Sequence, residues 1–197
     1  MSKVSILTPT YRGRVPVLRR CLTSVLRQPH TDFEQLVCSD GGFEDLAAKV
    51  VAEQHDERIR YLHTDTNFGG YGGAVRRWLL PRITGDYVAF LDDDNIFFPT
   101  FLEKMLLSLE DKPHAKFAIC EILHHGPLHA SYGACPVVLE GRPAVQHIDT
   151  MQVLVETAAM RQVGWQGNDY LSDGQTFEAL GKAFSFARAP ECLGVHY

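Results

Sequence analysis

An apolar run, Tyr87 Val88 Ala89 Phe90 Leu91, ends abruptly in three consecutive carboxylates, Asp92, Asp93 and Asp94. A run of that length and composition reads as a buried strand. Ionised carboxylates are costly to bury without a partner, so the acids cannot continue into the core. The strand should open at its carboxyl end into a cleft, where a hard divalent cation and the phosphates it carries would neutralise them. A solvated acidic turn is the plainer alternative, but Ile96, Phe97 and Phe98 return the chain at once to apolar surroundings. A calcium loop of the EF-hand type is excluded, because Ile96 stands at a ligand position and no glycine turn or terminal Glu follows.

The segments before the acids alternate in period. Val4 to Thr8 is a β-prone run that Pro9 should stop, opening a loop through Gly13. Leu18, Cys21, Leu22, Val25 and Leu26 then recur at helical spacing from Pro16 to about Gln28. Phe33 to Cys38 reads as a strand closed by Ser39 to Gly42, and Phe43, Leu46, Ala47, Val50 and Val51 mark a second helix before a third strand, Ile59 to His63. This pattern predicts an α/β fold with a mostly parallel, doubly wound sheet, whose ligands sit beyond the carboxyl ends of the strands. Three loops should converge there: Pro9 to Gly13, Ser39 to Gly42 and Asp92 to Asn95.

Asn67 to Gly73 is glycine-rich and leads into a helix start whose amides could face a phosphate, although a plain flexible loop accounts for it equally well. It is not a Walker loop, since no Gly-Lys-Ser/Thr follows. Beyond the acids, Pro99 suits a first helical turn, and Phe101, Leu102, Met105, Leu106 and Leu109 form a core stripe. Phe117 to Ile122 and Met151 to Val155 are β-like. Thr157 can cap a helix running through Val163, Phe177 and Leu180 mark a last helix, and Ser185 to Ala189 should form a closing strand. His124, His125 and His129 have metal-binding composition, but an exposed histidine loop is the ordinary reading.

With 197 residues the chain suits a single domain, residues 1–98 forming a nucleotide side and residues 99–197 an acceptor side. A net charge of -5, with no basic stripe among aromatics, argues against nucleic acid as a partner. Five cysteines without a CxxC pair point to a reducing compartment. No apolar segment long enough for a signal peptide or transmembrane span is present, so a cytoplasmic location is expected, compatible with peripheral membrane association.

In this order, several residues resemble the inverting family 2 glycosyltransferases of the GT-A fold, a three-layer α/β/α sandwich of Rossmann-like, nucleotide-binding type. They are Val4 to Tyr11, Ser24 to Gln28, Ser39 Asp40 Gly41, Arg76, Gly85 Asp86 Tyr87, Phe90 to Asp94 and Ser172 Asp173. The continuation Asp94 to Pro99 is similar to that of the sporulation polysaccharide-type members. The resemblance implies a nucleotide-sugar donor, a Mn²⁺ or Mg²⁺ cofactor, and inverting transfer to a sugar, polysaccharide or lipid-linked acceptor. Residue by residue, it implies that Pro9, Thr10 and Tyr11 line the nucleotide pocket and that Asp40 accepts from the base, which favours UDP. Arg76 would contact the nucleotide, Asp92 or Asp93 the ribose, and Asp94 the metal, with His196 completing the metal shell. Asp173 would be the catalytic base, compatible with its also capping a helix, while Asp149 and Trp165 would meet the acceptor. The family's helix after Arg76 is interrupted here by Pro81, which predicts a kink. The chain also stops where many family members add a C-terminal extension, which would leave the acceptor side to a partner or a second copy; a homo-oligomer is compatible. Two rivals are a sugar-nucleotide pyrophosphorylase, whose basic glycine-rich loop is not found at Pro9 to Gly13, and a binding or regulatory module without turnover, which would have no use for Asp173.

Overall fold

The computed structural model describes residues 2–125 and 136–197 of the chain. A first half of alternating elements runs β1 (Val4–Thr10), α1 (Val15–Leu26), β2 (Phe33–Ser39), α2 (Asp45–Ala52), β3 (Ile59–His63), α3 (Gly73–Leu79) and β4 (Tyr87–Phe90). The second half is β5 (Ile96–Phe97), α4 (Phe101–Glu110), β6 (Phe117–His124), β7 (Val137–Leu139), β8 (Val153–Glu156), α5 (Thr157–Val163), α6 (Ser172–Ala183) and β9 (Phe186–His196). All strands of the described residues join one sheet in the order β3-β2-β1-β4-β8-β6-β9-β5, with β7 paired to β6. The β3-β2-β1-β4 portion is parallel throughout. β8 enters antiparallel between β4 and β6 and couples the two halves.

Period-two alternation sets the layers. From β4, Ala89 faces a core shared with α1 and α4, with Leu91 just beyond it on the same side, while Val88 and Phe90 face a core shared with α3, α5 and α6. A third cluster packs α1 on α2 through Leu18, Leu22, Val50 and Val51. Helices therefore cover both faces, leaving the carboxyl ends of β1, β2 and β4 as the open edge. Within the second core, Phe177 is fully buried with its ring 5.9 Å from Phe90 and 6.0 Å from Trp165. Phe177→Ala should cost about 3–5 kcal/mol in a urea melt; a loss below about 1 kcal/mol would mean that this contact does not hold α6 to the sheet.

Several local expectations are corrected. β1 runs through Pro9 to Thr10, in register with Cys38 and Ser39. Leu91 N–H donates to Leu7 O, so odd residues of β1 face β4; Pro9, which has no N–H to donate, ends that ladder while the pairing with β2 continues through Thr10. Phe43 lies outside α2, and both it and Leu46 are exposed, Phe43 packing edge-on against Tyr61 at 5.5 Å. Thr157 does not cap α5: its hydroxyl donates to Gly85 O at 2.8 Å, pinning the helix start to the loop before β4. The closing strand continues to His196, because the register skips from Cys120↔Ala189 to Glu121↔Cys192 and a bulge absorbs Pro190 and Glu191. At Pro81 the helix does change, α3 giving way to a 3-10 turn at Leu80–Arg82. Of the histidine cluster, His129 lies outside the described residues.

Candidate active site

The three predicted loops converge. Pro9, Thr10, Tyr11, Asp40 and the three acids line one cavity of about 720 Å³, and its far wall carries Asp149, Asp173 and His196. The floor is a network of charges. Arg76, only 2% exposed, pairs with Asp92 and donates to Tyr71 O at 3.1 Å, its guanidinium 5.0 Å from the Trp165 ring. Asp93 accepts from Thr10 Oγ1 at 2.7 Å and from Arg14 at 2.9 Å. Asp94 also pairs with Arg14, and its carbonyl accepts from Arg20 at 2.7 Å. Burial pushes the Asp92 and Asp93 carboxyls above the usual range, with Arg76 and Arg14 opposing the shift. Asn95 closes the turn, its Oδ1 accepting from Tyr197 N at 3.1 Å.

Asp40, at the end of β2, accepts from the amides of Phe68 at 2.8 Å and Gly69 at 2.9 Å, so the glycine-rich loop is folded around it. Asp173 stands in the first turn of α6. Its Oδ1 accepts from Gly174 N at 2.7 Å, and Thr150 Oγ1 approaches its Oδ2 at 3.4 Å. The N-cap of α6 is Leu171, so Asp173 is a cavity carboxylate and not the cap. Burial, with Asp149 next in effect, pushes its carboxyl up to about 6.

Of the remaining candidates Arg76, Asp149 and His196 line the cavity with partners of their own, and Trp165 is placed differently from the sequence expectation. Arg76 is turned to Asp92 and Tyr71, not held free in the cavity. Trp165 does not reach the acceptor side: it is 3% exposed and packs on Phe90 at 5.1 Å beneath α3. Asp149 caps a 3-10 turn at Thr150–Gln152, with Oδ1 accepting from Met151 N at 3.0 Å and Oδ2 lying 3.4 Å from His196 Nε2. The His196 ring stacks on His124 with centroids 4.4 Å apart. Arg14 was not read from sequence. Three adjacent acids require nearby positive charge, and that requirement is the available signal: Arg12 and Arg14 lie within three residues of Tyr11.

Among the described residues, no three His, Cys, Asp or Glu side chains are gathered as a metal cage. A cation delivered with a diphosphate needs no such cage, since one or two carboxylates suffice and phosphate and water supply the rest. Asp94, its side chain about a third exposed, suits that role, and the His196 imidazole borders the same cavity.

The family model described as glycosyl transferase family 2 matches residues 5–132. The chain belongs to this family. Among curated relatives of the domain, the putative teichuronic acid biosynthesis glycosyltransferase TuaG of Bacillus subtilis is 36% identical over 106 residues, covering 52% of this chain and 40% of that protein. The putative colanic acid biosynthesis glycosyl transferase WcaA of Escherichia coli is 29% identical over 143 residues, covering 72% and 46%. The chain thus spans less than half the length of these relatives. In fold it is similar to S. aureus TarS 1-349, with TM-score 0.77 and 16% identity over 98% of this chain and 60% of that one. It is likewise similar to the mannosyltransferase PcManGT from Pyrobaculum calidifontis in complex with GDP-Man and Mn²⁺, with TM-score 0.74 and 15% identity over 99% and 56%. The family 2 domain therefore has the GT-A fold. No helix among its described residues is long and apolar enough to cross a membrane.

Proposed function

We propose that the domain is a metal-dependent inverting glycosyltransferase, taking a sugar from a nucleotide-sugar donor, most simply a UDP-sugar, to an acceptor hydroxyl. The observation that carries this reading is the division of acids within one cavity. Asp92, Asp93 and Asp94 stand at the strand ends with arginine partners, while Asp173 stands apart on α6 with its carboxyl raised to about 6. Such a group is charged at neutral pH yet basic enough to take a proton, as a general base requires.

In this reading residues 1–98 hold the donor and residues 99–197 the acceptor. Pro9, Thr10 and Tyr11 flank the base, and Asp40 keeps lone pairs beyond its two amide bonds with which to accept from uracil N3–H. Arg76 acts on the donor through Asp92, and Asp93 or Asp92 meets the ribose. Asp94, with His196 nearby, would hold Mn²⁺ or Mg²⁺, whose charge would neutralise the departing diphosphate. Asp173 removes the proton from the acceptor hydroxyl; the new bond to the anomeric carbon forms as the bond to the diphosphate breaks on the opposite face.

The test is release of nucleoside diphosphate from UDP-glucose, UDP-N-acetylglucosamine and GDP-mannose in the presence of Mn²⁺. Turnover of a UDP-sugar that stops on chelation is expected. Release from GDP-mannose alone would overturn the assignment of the base, and no release from any donor would favour a module that binds without turnover.

A further inference from the structure

The segment before α3 holds a conformation that tyrosine avoids. Gly69, Gly70, Tyr71 and Gly72 have φ of 62°, 66°, 54° and 79°, four consecutive left-handed residues of which Tyr71 alone carries a side chain. A bulky residue at such a φ is strained, and strain of this kind persists where the surroundings fix it for use. Packing does not explain Tyr71, which is 74% exposed. Among the described residues its one aromatic neighbour is Tyr170, itself 64% exposed, with ring centroids 5.5 Å apart and planes at 77°. An exposed edge-to-face pair returns too little to justify that backbone.

Both sides of the pair are fixed. Asp40 holds the amides of Phe68 and Gly69, and Arg76 holds the carbonyl of Tyr71. Across the gap, a Cβ at Gly70 would stand 2.4 Å from Asn168 O, so the two loops touch at the backbone. Arg77 donates to the carbonyls of Trp165 and Gly167, tying α3 to the loop that carries Tyr170. Tyr170 lies three residues before Asp173, and both tyrosines border the cavity that Asp173 enters.

We infer that Tyr71 and Tyr170 form a preorganised aromatic platform, the face of one ring stacking the acceptor while the other, nearly perpendicular, bounds its edge, and that the acceptor is a saccharide ring. A sugar ring offers an apolar face of C–H groups to the electron-rich face of an aromatic ring, whereas a lipid phosphate offers no such face. Stacked beside Tyr170, the ring presents a hydroxyl on the side of Asp173. This assignment rests on the transferase reading and adds the class of acceptor to it.

The test uses saturation-transfer NMR with cellotetraose, chitotetraose and mannotetraose on the protein with UDP and Mn²⁺, alongside calorimetry of UDP. Tyr71→Gly removes the ring and relieves the strain, so it should fold; Tyr170→Ala and the two Phe variants complete the set. At least one tetrasaccharide should bind, its Kd rising about tenfold or more in Tyr71→Gly and Tyr170→Ala but staying near wild type in the Phe variants, with UDP affinity unchanged. UDP binding with no saccharide bound, or saccharide binding indifferent to both rings, would overturn the platform and leave the transferase reading intact. Loss of UDP affinity in Tyr71→Gly with saccharide binding unchanged would make the pair a nucleobase contact instead. Absence of UDP binding in the wild type would fail the transferase reading itself, and the platform with it.

Discussion

Asp173→Asn should reduce sugar transfer by about 10²- to 10⁴-fold while UDP binding is retained, the range set by loss of a positioned general base. The wild-type rate should rise with pH through about 6, where the carboxyl loses its proton, and level off above. Stability should move the other way. The folded-state value lies above the ordinary 3.8, so the native state favours the protonated acid. That contribution is complete below about pH 3.8 and is lost as pH rises through about 6; at neutral pH the fold carries the cost of a buried charge. Asp173→Asn removes it, and the variant should melt a few degrees higher, a gain of about 1–2 kcal/mol after allowing for the residue's partial exposure. A variant that is both inactive and less stable would identify a structural acid instead; one that retains transfer would place the base elsewhere.

Arg76→Ala should destabilise the domain by about 1–3 kcal/mol in a urea melt, the cost of losing the buried guanidinium's hydrogen bonds and of leaving Asp92, its side chain about a third exposed, without its partner. The guanidinium joins Asp92 to the carbonyl of Tyr71 and lies against Trp165, and it is almost wholly covered. Arg76→Lys should recover only part of this loss, because an ammonium cannot span two acceptors in the fixed geometry of a planar fork. Coupling is the more specific readout. Asp92→Asn in the Arg76→Ala background should cost far less than the sum of the single changes, since the unpaired carboxylate is then gone. Additive losses would show that the pair does not organise the floor.

These two residues illustrate how far sequence reasoning reaches. Asp173 could be found because it follows a serine at the head of an amphipathic stretch, in the order the family requires; its raised carboxyl comes first from burial and then from Asp149, which arrives from a distant turn. The sequence singles out Arg76 but not its partner, since a half-buried ion pair between α3 and the end of β4 leaves no local pattern. The strands and helices of the first half were legible because each spans enough residues to display its period. β5 and β7, of two and three residues, display none and form only by pairing with β9 and β6. Trp165 follows Gly164 directly after a helix, as an exposed loop residue would, and only the packing of α3, β4 and α6 shows it to be core. Arg14 was hidden for the opposite reason: a charged residue beside a glycine looks solvated until the acids it bridges are folded against it.

Calorimetric titration with UDP, with and without Mn²⁺, in the wild type and in Asp94→Ala is the most direct test of nucleotide-sugar chemistry at this cavity. Mn²⁺-dependent binding of UDP that weakens at least about tenfold in Asp94→Ala is the expected result. No binding of UDP, GDP or dTDP to demonstrably folded protein, with or without Mn²⁺, would contradict it and leave the three aspartates as a charge network of the fold alone.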